Sequence, residues 1–64
     1  MIVNGKEMNF KDSITVKELL ENLNIHSDRV VVEVDMDIIP KDEYSQKKLY
    51  SYSKVEIIRF VGGG

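Results

Sequence analysis

The 64-residue sequence contains no cysteine and no tryptophan, and it has one proline and one histidine. Without cysteine the chain can form neither a disulfide framework nor a thiolate zinc site, and it has no Cys nucleophile. No apolar run approaches the ~20 residues needed to span a bilayer, and the N-terminus lacks the basic-then-apolar layout of a signal peptide. We therefore expect a soluble cytoplasmic protein that does not associate with membranes.

An excess of positive charge is also missing. Nine Lys and Arg residues stand against eleven Asp and Glu residues, which gives a net charge of -2. The chain therefore has no broad positive field for phosphate backbones, and we expect no nucleic-acid partner. Folded chains of roughly this size bury only about 60% of the surface that they expose when unfolded, which argues against a deep catalytic cavity. We expect one small domain, monomeric when free, with protein partners.

The first structural signal is a turn. Asn4 and Gly5 lie between two short runs, residues 1–3 and 6–10. Asn-Gly between apolar runs predicts a β-hairpin because both residues tolerate a positive φ. In the second predicted strand Met8 and Phe10 fall on one face, as in a sheet that is covered on one side only. A helix is needed to provide that cover.

The covering helix is predicted from residue 16 to residue 23. Thr15 can accept a hydrogen bond from the Glu18 amide while Glu18 reaches back to the Thr15 amide, which is the capping-box pattern. Asn24 is suited to the position just past the helix end. One face of this helix is apolar, with residues at i, i+3, i+4 and i+7. That stripe consists of Val16, Leu19, Leu20 and Leu23.

The remainder of the chain predicts short strands. Residues 29–35 alternate apolar and polar side chains and form the third strand. A turn at residues 35–37 leads to a fourth strand, Ile38 and Ile39, which Pro40 ends. Residues 41–48 are polar and are predicted to be irregular, with at most one helical turn. One helix against a mixed sheet makes the chain an α+β protein.

The last predicted strand, residues 54–61, is apolar on both faces. Val55 and Ile57 lie on one face, and Ile58 and Phe60 lie on the other. Since the core needs only one of these faces, we assign partner docking to Ile58, Phe60 and the neighbouring Val61. The alternative is that the segment preceding this strand covers the second face.

No residue pattern predicts catalysis or a metal or cofactor site on this chain. His26 has no Ser or Cys partner at a recognisable spacing, so we assign it no role. Asp35 and Asp37 lack the further ligands and the glycine of a calcium loop, and we interpret them as a solvated turn.

The glycine-rich end of the chain does not fit a structural role. Three of the four glycines are Gly62, Gly63 and Gly64. Glycine loses the most conformational entropy on ordering, so it is a poor residue with which to finish a fold. A tail of residues 62–64 after a domain of residues 1–61 can instead enter a channel too narrow for side chains and deliver the α-carboxylate of Gly64. The alternative is a frayed end without a function.

Several segments together carry a family resemblance. They are residues 4–5, 15–20, 30–34, 38–41 and 55–64. Over its whole length the chain resembles the ThiS family, the ubiquitin-like β-grasp sulfur carriers of thiamin biosynthesis. The resemblance implies a mixed sheet of about four to five strands packed against one helix, with the first and last strands parallel at its centre. Two turns, at residues 35–37 and 51–53, lack the glycine that relatives often carry.

The resemblance also implies a function. A ThiF-like adenylating enzyme would use ATP and magnesium to convert the Gly64 carboxylate into an acyl adenylate. Sulfur from a persulfide donor would displace AMP, and the resulting thiocarboxylate would supply a ThiG-like thiazole synthase. The chain would then be a protein co-substrate and not an enzyme, and it would bind no cofactor itself.

Other functions remain open at this point. The small subunit of molybdopterin synthase also ends in Gly-Gly, although such subunits tend to be longer and to carry Pro before the glycines, where this chain has Phe60 and Val61. Carriers for tRNA thiolation or cysteine synthesis are further alternatives within the class. A ubiquitin-like modifier, or an interaction module with an inert tail, are alternatives from other classes.

Overall fold

The computed structural model describes residues 1–10 and 13–60. The predictions for Val61, Gly62, Gly63 and Gly64 lie outside the described residues. Within them, one α-helix, α1, spans Val16–Asn22, and short 3-10 helices span Ser27–Arg29 and Lys41–Glu43. The described strands are β1 (Ile2–Val3), β2 (Lys6–Glu7), β3 (Ile14–Thr15), β4 (Val30–Val34), β5 (Asp37–Ile39), β6 (Lys48–Leu49) and β7 (Lys54–Arg59).

Five of these strands form one mixed sheet in the order β2-β1-β7-β4-β5. β1 and β7 are parallel, with Val3 opposite Val55, and the other neighbours are antiparallel. The first and last strands therefore lie side by side, and β7 occupies the middle of the sheet. This is the arrangement that the family resemblance implied.

The opening hairpin forms at the predicted turn. Asn4 and Gly5 have φ values of 50° and 80°, the left-handed region that the Asn-Gly pair tolerates. The prediction that the second strand continues to Phe10 is wrong, because β2 ends at Glu7. The Met8 amide still donates to the Met1 carbonyl over 2.8 Å, and Met8 and Phe10 both pack against the core as their shared face predicted.

The capping box of α1 is confirmed. The Thr15 amide donates to Oε1 of Glu18 over 2.8 Å, and the Glu18 amide donates to Oγ1 of Thr15 over 3.1 Å. The helix ends at Asn22, one residue earlier than predicted, with Leu23 as its C-cap. Asn24 follows with φ 57°, the left-handed conformation expected at this position.

The structure contains a second, two-stranded sheet that the sequence did not predict. β3 pairs antiparallel with β6, so Lys48, the last residue of the segment 41–48 that was predicted to be irregular, belongs to a strand. The same segment also contains the 3-10 helix Lys41–Glu43. The same segment supplies partners for the first helical amides, since Val16 donates to the Lys47 carbonyl and Lys17 donates to the Tyr44 carbonyl. Amides at a helix start have no partner within the helix, so these bonds anchor α1.

The core lies between the five-stranded sheet and the helix. Its fully buried side chains come from α1, from the central strands and from β6. Leu20 belongs to this group, as the predicted stripe requires. The largest fully buried side chains are Leu19, Leu20, Leu49, Val16, Val32 and Val55.

Leu20→Ala tests the assignment of the helix face. Leu20 is 2% exposed, so truncation removes buried methyl groups and leaves a cavity. We expect a loss of about 2–5 kcal/mol in the free energy of unfolding, measured by denaturant titration. Glu21→Ala, on the exposed side of the same helix, is the matched control and should change stability little. Equal stability of the two variants would show that the core has been placed on the wrong face.

The turn between β4 and β5 adopts positive φ angles without a glycine. Asp35 has φ 50° and Met36 has φ 74°. Asp35 also contacts the start of β7, since its amide donates to the Lys54 carbonyl over 2.8 Å and its Oδ1 accepts from the Lys54 amide over 3.0 Å. Met36 is 87% exposed, so its side chain contributes almost no packing to offset the backbone strain.

Met36→Gly should therefore stabilise the protein. Removing the Cβ relieves the steric cost of the left-handed conformation, and the greater entropy of glycine in the unfolded chain offsets part of that gain. We expect a net increase of about 1 kcal/mol in the free energy of unfolding. Met36→Ala keeps a Cβ and should give no such increase, so a similar gain from both substitutions would contradict the strain explanation.

Candidate functional site

The candidate site is built on β7, which leads to the glycine-rich end of the chain. Side chains alternate across a strand, so Val55 and Ile57 point into the core while Glu56 and Ile58 point away from the helix. Ile58 is 49% exposed, and Phe60, just past the strand, is 59% exposed. The predicted division of the last strand into a core face and a second apolar face is therefore confirmed.

Ile58 belongs to a larger surface, which we call the outward face. The strand register places Val31 opposite Ile58, and it places Glu33 opposite Glu56 on one side and opposite Ile38 on the other. Ile38 is 66% exposed. The outward face thus combines three aliphatic side chains with two neighbouring carboxylates.

The paired carboxylates do not serve stability. Like charges directly opposite each other on neighbouring strands are destabilising. Within the described ranges neither Glu33 nor Glu56 forms an ion pair, because the salt bridges there join other residues. The outward face therefore combines apolar surface with two carboxylates that form no ion pair among the described residues, and Lys54 lies on the same face of β7 two residues before Glu56.

The alternative that the preceding segment covers this face is wrong. Tyr44 and Leu49 are 5% and 0% exposed, and both belong to the core cluster that α1 shares with the sheet. The bonds from the helical amides to the carbonyls of Tyr44 and Lys47 hold that segment beside the helix start. The described residues of the preceding segment therefore do not cover Ile58 and Phe60, which remain exposed.

β7 ends earlier than predicted. The strand stops at Arg59, and the Phe60 amide makes one further bond to the Arg29 carbonyl over 3.0 Å. A shallow groove opens where the chain leaves the strand, between Ile25, Arg29, Arg59 and Phe60. His26, to which the sequence assigns no role, also lines this groove.

The structure also shows a contact that the sequence did not predict. The Ile57 amide donates to Oδ1 of Asn4 over 2.7 Å, and Nδ2 of Asn4 donates to the Ile57 carbonyl over 3.4 Å. In the sequence Asn4 is identifiable only as a turn residue. Its second role depends on a partner 53 positions away, and no local pattern signals such a contact.

An ion pair joins the two 3-10 helices. Nζ of Lys41 lies 2.8 Å from Oδ1 of Asp28. The hydrogen bond from Lys41 and the charge of its ammonium group hold the pKa of Asp28 below its usual value. Both side chains are exposed, so the pair contributes little to stability.

Residues 1–10 and 13–60 hold no group of three His, Cys, Asp or Glu side chains that could bind a metal ion. No helix in these ranges has the length and hydropathy of a transmembrane span. Asp35, interpreted above as part of a solvated turn, accepts a hydrogen bond from the Lys54 amide.

Comparison with known proteins identifies the family. The ThiS family profile matches residues 1–64, the whole chain. The chain belongs to the ThiS family. The resemblance to the sulfur carriers of thiamin biosynthesis is therefore confirmed at the level of the family.

Two relatives of this chain differ greatly from each other in length. The Bacillus subtilis sulfur carrier protein ThiS is 36% identical over 63 residues, a match that covers 97% of this chain and 96% of that protein. A thiazole synthase of Paramagnetospirillum magneticum is 42% identical over 64 residues. The chain spans only 20% of the length of that thiazole synthase.

A solved structure confirms the fold. The crystal structure of the ThiS protein from Geobacter metallireducens superposes with a TM-score of 0.85 at 29% sequence identity. The match covers 98% of this chain and 96% of the other. The ThiS-family chain thus has the predicted β-grasp fold, and the additional β3-β6 sheet is the main feature that the sequence did not predict.

Proposed function

We propose that this chain is a sulfur carrier that donates sulfur for thiazole synthesis, with the carboxylate of Gly64 as the reacting group. The observation that carries the proposal is the position of β7. This strand is held at the centre of the sheet, and it leads within five residues of Arg59 to Gly64. Family membership and the likeness to Bacillus ThiS support the same function.

The proposed reaction begins with activation, because a carboxylate is a poor electrophile. An oxygen of the Gly64 carboxylate attacks the α-phosphorus of ATP and releases pyrophosphate, which leaves an acyl adenylate. The terminal sulfur of a persulfide donor then attacks the acyl carbon and expels AMP. A thiol finally cleaves the sulfur-sulfur bond of the resulting acyl disulfide, so that the donor sulfur remains on Gly64 as a thiocarboxylate.

In this scheme the chain is a co-substrate. A ThiF-like activating enzyme supplies the nucleotide site, the magnesium and the catalytic groups, and a ThiG-like thiazole synthase receives the sulfur. The thiazole synthase of Paramagnetospirillum magneticum supports this second partnership, because that protein contains a segment 42% identical to the entire chain. The match to the ThiS family favours the thiamin branch over the molybdopterin branch.

The scheme predicts a product whose mass differs from that of the unmodified chain. Incubation of the chain with ATP, magnesium, a ThiF-like enzyme and a persulfide donor should replace one terminal oxygen by sulfur. Intact-protein mass spectrometry would detect the exchange, and omission of ATP is the control. If an isopeptide bond to a lysine forms instead, the chain is a ubiquitin-like modifier and the carrier proposal is wrong.

We assign docking to the outward face together with Phe60 and Val61. Exposed apolar side chains grouped on one face of a small domain are typical of a protein-protein contact, and aromatic residues often dominate the binding energy of such contacts. Ile58 and Phe60 are exposed, and they lie at the end of β7 that leads along the chain to Gly64. A partner that holds this surface would also hold the start of the tail.

Phe60→Ser tests the docking assignment. Since Phe60 is more than half exposed, the substitution should leave the fold intact while raising the KM for the chain by about tenfold in the activating reaction. Tyr52→Ser is the matched control, because Tyr52 is 78% exposed and lies two residues before the first residue of β7, away from Phe60 in the sequence. Loss of folding in Phe60→Ser, or an equal effect of both substitutions, would contradict docking through Phe60.

Three changes test the tail. Appending one residue after Gly64 places a neutral peptide carbonyl where the carboxylate should meet ATP, and it should abolish ATP-pyrophosphate exchange. Deleting Gly64 shortens the reach by about 3.5 Å and should slow exchange strongly, since even ~1 Å of misplacement can cost about a hundredfold. Gly63→Val keeps the reach and adds a branched side chain, so it should slow exchange because the channel is too narrow for a side chain.

Circular dichroism is the folding control for these tail variants, and all three should retain the spectrum of the parent chain. If the extended chain and Gly63→Val both exchange as fast as the parent, Gly64 is not the reacting residue. The inert-tail alternative would then be the better account of this domain.

A further inference from the structure

Strand β7 extends beyond the strand that pairs with it on one side. β1 ends at Val3 because the chain turns at Asn4, whereas β7 continues for four residues beyond Val55, the partner of Val3, and ends at Arg59. The last backbone bond on this side runs from the Asn4 amide to the Val55 carbonyl over 2.9 Å. Beyond it, the amide and carbonyl of Ile57 would lack a strand partner, and unpaired backbone groups are rare in folded proteins.

The side chain of Asn4 takes the place of the missing strand. In a parallel ladder the residue that donates to the Val55 carbonyl would also accept from the Ile57 amide through its own carbonyl. At φ 50° the backbone of Asn4 has turned away, and Oδ1 accepts that bond instead, over 2.7 Å. Nδ2 then donates to the Ile57 carbonyl, as the next strand amide would do. The side-chain amide thus acts as one further peptide unit of β1.

This contact lies close to the point where the chain leaves the sheet. On the opposite side of β7, β4 pairs as far as Arg59, and the Phe60 amide bonds to the Arg29 carbonyl. On the β1 side, Ile57 is the last residue of β7 for which the structure shows a partner among the described residues. On that side the Asn4 side chain therefore makes the contact nearest to the end of the strand.

We propose that Asn4 is a positioning residue for the reaction at Gly64, an inference that rests on the proposed function. Four residues follow Phe60 as far as Gly64, which corresponds to roughly 14 Å of extended chain. A twist of about 10° where the chain leaves the sheet would displace the end of such a segment by roughly 2 Å. β4 and the Arg29 carbonyl hold one edge of β7, so the strand remains free to twist about that edge unless Asn4 holds the other edge at Ile57.

The test uses Asn4→Gly, because glycine accepts the positive φ of the turn and removes only the side-chain bonds. Gly5→Ala is the matched control: Gly5 has φ 80°, so a Cβ strains the same turn, while the space around it is open and the Asn4 side chain is kept. Asn4→Asp is the conservative variant, since it keeps an acceptor for the Ile57 amide. All are assayed at a temperature at which circular dichroism shows them folded.

Two measurements are made on each variant. Amide hydrogen exchange followed by NMR should show faster exchange at Ile57 in Asn4→Gly, with Val55 unchanged. In ATP-pyrophosphate exchange with a ThiF-like enzyme, Asn4→Gly should lower kcat about tenfold while KM stays within about twofold, because docking is intact and delivery of the carboxylate is impaired. Asn4→Asp should restore part of the kcat, and Gly5→Ala should retain the kcat of the parent chain.

Equal kcat for Asn4→Gly and the parent would overturn the positioning role, and so would an equal loss in Gly5→Ala, which would reduce the effect to turn stability. If the parent chain itself supports no exchange, the proposed function fails and the positioning role fails with it. The protection of the Ile57 amide would still show separately whether the Asn4 contact forms.

Discussion

The pairing of the last strand on both of its edges is the constraint on which the rest of this small domain depends. β7 is parallel to β1 and antiparallel to β4, so residues near the two ends of the chain are neighbours in the sheet. Bringing distant parts of a chain together costs loop-closure entropy, which the packing of the intervening segments offsets here. The helix, the short strands and the turns are therefore held together by one central element.

The two faces of β7 have different roles, since one contributes to the core and the other is part of the outward face. One face of β7 is buried beneath α1, a helix of seven residues that would be marginal alone and depends on packing. The segment before β7 stabilises the helix from its start, through the carbonyls of Tyr44 and Lys47 and the buried side chain of Leu49. Because this segment is committed to the helix side, it leaves the outward face of Ile38 and Ile58 uncovered.

The separation of faces suits the proposed function, in which the chain presents Gly64 to partner enzymes. Within the described residues the domain holds no metal-ligand cluster, and several of its side-chain hydrogen bonds stabilise a turn, a helix cap or a strand edge. In the proposed function the domain supplies a docking surface and a direction for the tail, and the partners supply the chemistry. The contact between Asn4 and Ile57 connects the opening turn with the strand that carries the tail.

Local features could be read from the sequence because each depends on neighbouring residues. The Asn-Gly turn, the Thr15-Glu18 capping box, the apolar stripe of the helix and the two faces of the last strand are set by φ preferences and by the periods of 3.6 and 2. The glycine-rich end and the family resemblance were likewise visible in the sequence, and the family comparison confirmed the resemblance.

The tertiary structure decided the features that depend on distant partners. β3 and β6 have two residues each, too few to show a period, and they exist as strands only because they meet. Which apolar face of β7 is covered depended on where Tyr44 and Leu49 fold, since both faces are apolar in the sequence. The second role of Asn4 needed Ile57 beside it, because a side-chain amide becomes part of a β-ladder only where the fold has left a strand edge without its backbone partner.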